Sequence, residues 1–117
     1  AEPGDLVKVE WHDSSSGRIT KLHLLKKLSL PVESFGIYIG EYGDPPLVVL
    51  VTEIYHRGFG KEGYEVNALV KSSVTKIVVL AKKIYDISTI KTQLDLKIAQ
   101  DFDLKKLKFC VEVAHRQ

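Results

Sequence analysis

Strict alternation of apolar and polar residues appears near the start of the chain. Over residues 5–11, Val7, Val9 and Trp11 fall on one side of an extended strand, and the charged residues between them fall on the other. This period of two predicts a strand with one buried face. The polar residues 12–18 that follow contain three serines and a glycine, which predicts a loop.

A hairpin over residues 36–55 is the central feature of the pattern. Two apolar runs rich in strand formers flank residues 41–46, where Gly43 can take a positive φ and two prolines cannot join a sheet ladder. The run 47–51 is apolar throughout, which predicts a strand buried on both faces. The hairpin is therefore expected to nucleate a small barrel or a compact sheet.

The chain after the hairpin predicts two more strands, over residues 64–70 and 74–80. Residues 56–63 hold three glycines and predict a turn before the first of them. Residues 71–73 between them suit a single 3₁₀ turn. With the strands predicted earlier, this makes five short strands separated by turn signals, which is typical of a small closed barrel or a sandwich.

Residues 19–30 show helical spacing instead of alternation. Their leucines recur near every third residue, and lysines occupy the other faces. This pattern predicts a short basic amphipathic helix, ended by Pro31 because the residue before a proline avoids the α conformation. The simplest role for such a helix is to cap the open end of the barrel.

The last 37 residues follow a different pattern. Asp86 is a good N-cap, and the apolar spacing after it predicts a helix over 87–99. Residues 107–114 alternate as a strand does, although the leucines at 104 and 107 with Val111 also fit a helix; the strand is preferred. The predicted fold is therefore mainly β: a five-stranded barrel domain over 1–80, a short basic helical insertion, and a C-terminal α/β extension over 81–117 packed on the barrel.

Composition narrows the class of protein. The chain has 117 residues, which suits one domain, and no apolar stretch reaches the ~20 residues that span a bilayer. The single cysteine, Cys110, excludes an internal disulfide framework, so a cytoplasmic location is expected. Cys110 lies in an apolar run and is predicted to be a buried, unreactive thiol. The absence of methionine and the abundance of lysine are typical of a thermophilic source.

Four short segments carry a family resemblance. They are VEWHDSSS (9–16), VESFGIYIGEY (32–42), PLVVLVTE (46–53) and VKSSVTKIVVL (70–80). Through them, residues 5–80 resemble a family of small, uncharacterised β-barrel proteins from phages, archaeal viruses and mobile elements. The resemblance implies a barrel of the Sm or Src-homology type. Such barrels bind RNA, DNA or peptides, so the resemblance implies a fold and no particular activity.

Basic residues concentrate in two segments that contain no acid, although the net charge is only +2. A glycine-rich loop between them places two cations beside an aromatic ring, a combination that can stack a base and contact phosphate. The predicted nucleic-acid-binding residues are Arg18, Lys21, Lys26, Lys27, Arg57, Phe59, Lys61, Lys71, Lys76, Lys82 and Lys83. Each also has a simpler interpretation, as a solvated sheet or helix face, with Phe59 folded over the barrel end. Trp11 is most simply a core aromatic at a strand end, and its alternative role is a stacking platform.

Catalytic and metal-binding patterns are weak. Four histidines are scattered and Cys110 stands alone, so no metal or cofactor is expected. His12 and Asp13 precede Ser14–Ser16, but triads depend on geometry in space and not on adjacency in the chain. An enzyme would require a concave pocket with convergent polar groups near His12 and Asp13.

The preferred functional hypothesis is a non-enzymatic nucleic-acid-binding protein, or a ribonucleoprotein or replication accessory subunit, that contacts mostly phosphate. The alternative is a protein–protein interaction module or homo-oligomeric accessory subunit without nucleic-acid contact. In that case residues 81–117 would dock on a partner or pair across a two-fold axis. No membrane partner is expected.

Overall fold

A computed structural model describes residues 1–13, 30–99 and 108–114. In these ranges the chain forms six strands and one α-helix, so the prediction of a mainly β protein is confirmed. The elements are β1 (Leu6–Asp13), β2 (Leu30–Tyr42), β3 (Leu47–Gly58), β4 (Lys61–Val70), β5 (Val74–Ala81), α1 (Ser88–Ala99) and β6 (Lys108–Ala114). The predicted 3₁₀ turn is also present, over Lys71–Ser73. The six strands make one antiparallel sheet in the order β5-β1-β2-β3-β4-β6.

The central hairpin forms as the sequence predicts. Gly43 has a φ of 88° in the turn between β2 and β3. Residues 48–51 of β3 are all buried, which confirms a strand covered on both faces. The predicted turn over 56–63 is shorter than expected, because β3 runs to Gly58 and β4 begins at Lys61. Phe59 and Gly60 both have positive φ, so two residues suffice to reverse the chain.

The prediction of a closed, five-stranded barrel is wrong. The sheet has six strands and stays open, with β5 and β6 at its two edges. The sixth strand comes from the C-terminal extension, and it pairs with β4 from Lys61↔Ala114 to Asn67↔Lys108. Because β3 pairs with one edge of β4 and β6 with the other, β5 cannot pair with that part of β4 to close a barrel.

Both faces of the central strands carry a core. On the face that α1 covers, Ile90 and Leu94 pack among residues of β2, β3, β4 and β6; this is called the helix-side core. On the opposite face, a second core combines residues of β1, β2, β3 and β4, including Val7, Val9 and Tyr38. Trp11 packs against it, which confirms the interpretation of Trp11 as a core aromatic.

Helix α1 begins and packs as its sequence predicts. The Ser88 N–H donates to Asp86 Oδ1 at 3.0 Å, which confirms Asp86 as the cap. Ile87, Ile90 and Leu94 are all buried. The predicted basic helix over 19–30 lies outside the described residues, except for Leu30, which begins β2. Pro31 is the second residue of that strand, so it does not follow a helix directly.

Cys110 does not lie in the core, so the prediction of a buried thiol is wrong. Val111 and Val113 of β6 point into the helix-side core, whereas Cys110 and Glu112 alternate onto the other face of the strand. That face is exposed at Cys110. The apolar run around Cys110 therefore reflects a strand with one buried face.

Asp5 ties the start of the chain to the segment after β5. Its carboxylate is almost fully buried and accepts the backbone N–H groups of Glu2 and Lys83, each at 2.9 Å. These hydrogen bonds stabilise the charged form and hold the pKa of Asp5 below its usual value of 3.8. The charged carboxylate therefore stabilises the fold fully at pH values above this usual pKa. The contribution is lost as the pH falls through the lowered pKa of the folded protein.

Replacing Asp5 by Asn is expected to lower the urea midpoint of unfolding near neutral pH. The difference from the unmodified protein should shrink as the pH falls below about 4, because the lost interaction depends on the carboxylate being charged. Urea titrations of both proteins at several pH values would measure this difference. A difference that stays constant down to strong acid would contradict the assignment.

Within the described ranges, no helix has the length and apolar character needed to cross a membrane.

Candidate functional site

Three of the predicted nucleic-acid-binding cations form ion pairs with carboxylates. Lys71 Nζ lies 2.6 Å from Glu41 Oε1, and Lys83 Nζ lies 3.5 Å from Glu2 Oε2. Arg57 Nε lies 3.3 Å from Glu112 Oε1, and its guanidinium stacks 5.6 Å from the centre of the Tyr55 ring. These pairs are exposed at the surface, so each contributes little to stability. They do place a negative charge beside each of these candidate phosphate contacts.

The basic segment 71–83 does not form one compact patch. Lys71 precedes β5, whereas Lys82 and Lys83 follow it, so an eight-residue strand of roughly 25 Å separates them. Lys76 lies within β5, opposite Glu10 of β1. The structure thus spreads these four lysines along the edge strand.

The loop between β3 and β4 brings Arg57, Phe59 and Lys61 to the end of that hairpin. Phe59 is 99% exposed, so the interpretation that it folds over the barrel end is wrong. Lys61 begins β4 and lies opposite Ala114 of β6. Phe59 is therefore accessible for stacking, but the nearest described partner of Arg57 is a glutamate.

The other four predicted contacts, Arg18, Lys21, Lys26 and Lys27, lie outside the described residues. The described ranges contain ten Lys and Arg residues against thirteen Asp and Glu residues. The described sheet and helix therefore carry a net negative formal charge. The positive charge of the chain comes from residues 14–29 and from the other short stretches beyond the described ranges.

A carboxylate and two phenols join β4 to the segment before α1. The Tyr64 and Tyr85 hydroxyls both donate to Glu62 Oε2, the second at 3.1 Å. Burial, followed by the hydrogen bond to Glu62, raises the pKa of Tyr64 well above its usual value. His56 Nδ1 lies 4.0 Å from Glu62 Oε1. The cluster anchors the approach to α1, and its Tyr64 phenol remains a protonated donor at neutral pH.

A cavity of about 400 Å³ lies along the last residues of β1 and the first residues of β2. His12, Glu10 and Glu33 contribute to its lining. The neutral donors nearby are used within the sheet: the Trp11 indole N–H donates to Ser34 Oγ at 2.9 Å, and the Thr75 hydroxyl to the Glu10 carbonyl at 3.0 Å. The serines that sequence reasoning considered as nucleophiles, Ser14–Ser16, lie outside the described residues.

The most distinctive surface feature is a split between β2 and β3. These strands pair from Tyr42↔Leu47 to Ile37↔Val51, and the pairing stops there. Beyond that point residues 30–36 of β2 pair only with β1, and residues 53–58 of β3 pair only with β4. No other described strand occupies the space between the two diverging edges. This opening, between residues 31–36 and 52–58, is called the β2–β3 cleft.

Apolar side chains line the β2–β3 cleft. It contains a cavity of about 390 Å³ whose lining includes Leu6, Phe35, Ile54 and Ile84. Phe35 is 53% exposed and Ile84 is 50% exposed, although both are large apolar residues. The Ile84 N–H donates to the Gly4 carbonyl at 3.0 Å, which holds this residue at the rim. The cavity also reaches Ile37 and Val51 of the helix-side core, so it continues that core to the surface.

Sequence reasoning did not identify the β2–β3 cleft. The available signal was Phe35, an aromatic residue in a predicted strand, followed at once by Gly36. The two strands diverge where the pairing of β2 with β3 stops, and the local sequence pattern does not specify that point.

Within the described ranges, no group of three or more His, Cys, Asp and Glu side chains is placed to hold a metal ion.

Comparison of the chain with protein-family models, with curated proteins and with solved structures finds no match. The resemblance of residues 5–80 to a family of small β-barrel proteins therefore stays a prediction.

Proposed function

We propose that this protein is a non-enzymatic protein-interaction module that accepts an apolar segment of a partner in the β2–β3 cleft. The observation that supports this function is the cleft itself: a cavity of about 390 Å³ open to solvent and lined by Phe35 and Ile84, each about half exposed. Concave apolar sites with a few polar groups at the rim are the usual form of a binding site. A few residues that become fully packed and desolvated in such a pocket commonly contribute most of the energy of an interface.

A peptide-display selection tests this function. Random peptides would be selected on the purified protein, and each selected peptide would be titrated by fluorescence polarisation against I84E. A charge at the rim of the cavity should weaken cleft-dependent binding by about tenfold or more, since a buried apolar anchor contributes over 1.4 kcal/mol. Selection of no cleft-dependent peptide would refute the proposal.

Leu96→Glu is the matched control for this experiment. Leu96 lies on α1 and is 51% exposed, almost the same fraction as Ile84, but it does not line the cleft. Both substitutions place a carboxylate at a half-exposed apolar position, so general effects on charge and solubility are shared. Peptides that lose affinity equally for both variants would indicate nonspecific hydrophobic binding and would contradict the proposed site.

Nucleic-acid binding is the second candidate function, and one observation favours it. Residues 17–27 carry four basic residues and no acid, while the described part of the chain is net negative. Such a charge asymmetry favours contacts with phosphate through that one segment.

Anisotropy titrations with labelled single-stranded RNA, single-stranded DNA and duplex DNA would test this candidate. The double variant K26E/K27E should abolish binding, whereas K82E/K83E should have a smaller effect because Lys83 already pairs with Glu2. Binding should also weaken steeply with salt. No binding at about 50 mM salt, where phosphate contacts are strong, would exclude the candidate.

A further inference from the structure

We propose that the segment bound in the β2–β3 cleft is an extended, basic peptide strand. It would add to the open edge of β3, place one apolar side chain in the cavity, and carry lysine or arginine beside that anchor. This inference rests on the proposed function and specifies its ligand. It follows from three features of the cleft: its strand edges, its apolar floor and its carboxylates.

The strand edges supply the first argument. Residues 52–58 of β3 and 31–36 of β2 keep an extended conformation after their mutual pairing ends. Each strand pairs on its other edge, with β4 and with β1 respectively. An extended strand presents backbone N–H and C=O groups along both edges. A second strand lying alongside can form hydrogen bonds with these groups one after another. Addition of a strand to an open edge is a common mode of peptide recognition.

The cavity supplies the second argument, since it can hold one anchor of such a strand. Alternate residues of a strand point to opposite faces, so a peptide lying along β3 would direct every second side chain toward the helix-side core. Ile54 of β3 packs against that core and also lines the cavity. An apolar side chain of the peptide would occupy the neighbouring space, between Ile54 and Phe35.

Carboxylates on both walls supply the third argument. On β2, Glu33 lies directly opposite Glu10 of β1; on β3, Glu53 lies directly opposite Glu65 of β4. Like charges in directly opposite positions are unfavourable in a sheet. Lys76 lies beside Glu10 from β5, and the Tyr55 hydroxyl donates to Glu53 Oε2 at 2.6 Å. No described cation forms an ion pair with Glu33, Glu53 or Glu65. Of these three, Glu33 shares the strand face of Phe35, so cations beside the anchor of a bound peptide would meet this carboxylate.

The test uses a blocked seven-residue peptide with a central leucine, valines on both sides of it, then lysines, and serines at the ends. Its affinity for the intact protein would be compared with three analogues. One carries methyl groups on the amide nitrogens of the leucine and of the valine after it, which point to opposite edges of an extended strand; one replaces the leucine by asparagine, and one replaces both lysines by glutamates. N-methylation should lower the affinity by about tenfold or more, because it removes donors from the added strand.

Substitutions in the protein test the charge preference and the apolar anchor separately. E33Q should reduce the preference for the lysine peptide over the glutamate peptide, because Glu33 lies on the same strand face as Phe35. Added salt should do the same. I84E should abolish binding of every analogue, with L96E as the control. Amide chemical shifts in labelled protein should change along residues 52–58 and 31–36.

Three results would overturn the inference: no binding of the lysine peptide, binding that tolerates N-methylation, or equal affinity for the lysine and glutamate peptides. Each is distinguishable from failure of the proposed function, because the display selection would still identify cleft-dependent peptides of another conformation or charge. Shift changes confined to residues away from the cleft would overturn both.

Discussion

Replacing Leu94 by Ala is expected to lower the free energy of unfolding by about 2–5 kcal/mol, the usual cost of truncating a fully buried leucine. Leu94 is 0% exposed and lies at the contact of α1 with the sheet. Its side chain packs in a cluster that combines residues from β2, β3, β4 and β6, so the cavity left behind would be enclosed on the sheet side. Chemical denaturation followed by circular dichroism would measure the loss.

Leu96→Ala provides the control for this prediction. Leu96 is on the same helix, is the same residue type and is 51% exposed. Its truncation should change the stability by no more than about 0.5 kcal/mol, as is usual for surface positions. Equal losses for the two variants would show that α1 is not docked on the sheet through Leu94. In that case α1 would not be the layer that buries the helix-side core.

Replacing Gly36 by Ala is expected to cost about 1–3 kcal/mol, the usual penalty for an added group that forces the backbone to move. A Cβ atom at Gly36 would lie 2.6 Å from the Val51 carbonyl oxygen and 3.2 Å from Leu50 Cβ. The first of these neighbours is backbone, so β2 and β3 would have to separate at that point. Gly36 immediately precedes the last pair of the two strands, Ile37↔Val51, and thus marks the inner end of the β2–β3 cleft.

A glycine in open space provides the comparison. Gly58 has a φ of 77°, and a Cβ atom there would meet nothing within 4 Å. Asn tolerates this left-handed conformation better than other side chains, so Gly58→Asn should cost only about 1 kcal/mol or less. Unchanged stability of Gly36→Ala, measured by the same denaturation, would mean that the strands separate there at little cost. The inner end of the cleft would then be variable in width.

The alternation of residues predicted the elements themselves with good accuracy. The period of two around Val7 and Val9, residues 48–51 of the unbroken apolar run and the spacing of Ile87, Ile90 and Leu94 all correspond to buried positions. These signals are local, because side-chain direction follows from position within a strand or a helix. Asp86 was identified for the same reason, since a cap acts within a few residues.

The candidate site required information of a different kind. Phe35 and Ile84 are separated by 49 positions in the sequence, and nothing in either local pattern relates them. They meet at one cavity because β2 leaves β3 after Ile37 and because the Gly4 carbonyl holds Ile84 in place. The partners of the charged residues also lay beyond the linear pattern, since Lys71 and Lys83 each pair with a glutamate that is distant in sequence.

The sequence by itself determined the existence of most of the strands and of α1, and the residues within them that share a face. Only the tertiary structure decided which strand edges meet. Alternation marked Val111 and Val113 as one face of a strand, but the docking of β6 on β4 buried that face and left Cys110 exposed. The same docking prevents closure of the sheet into a barrel. The backbone edges of different strands are chemically alike, so the edges alone do not select which strands pair. The pairing is selected by how the side-chain faces of segments distant in sequence pack together, and no local pattern specifies that packing.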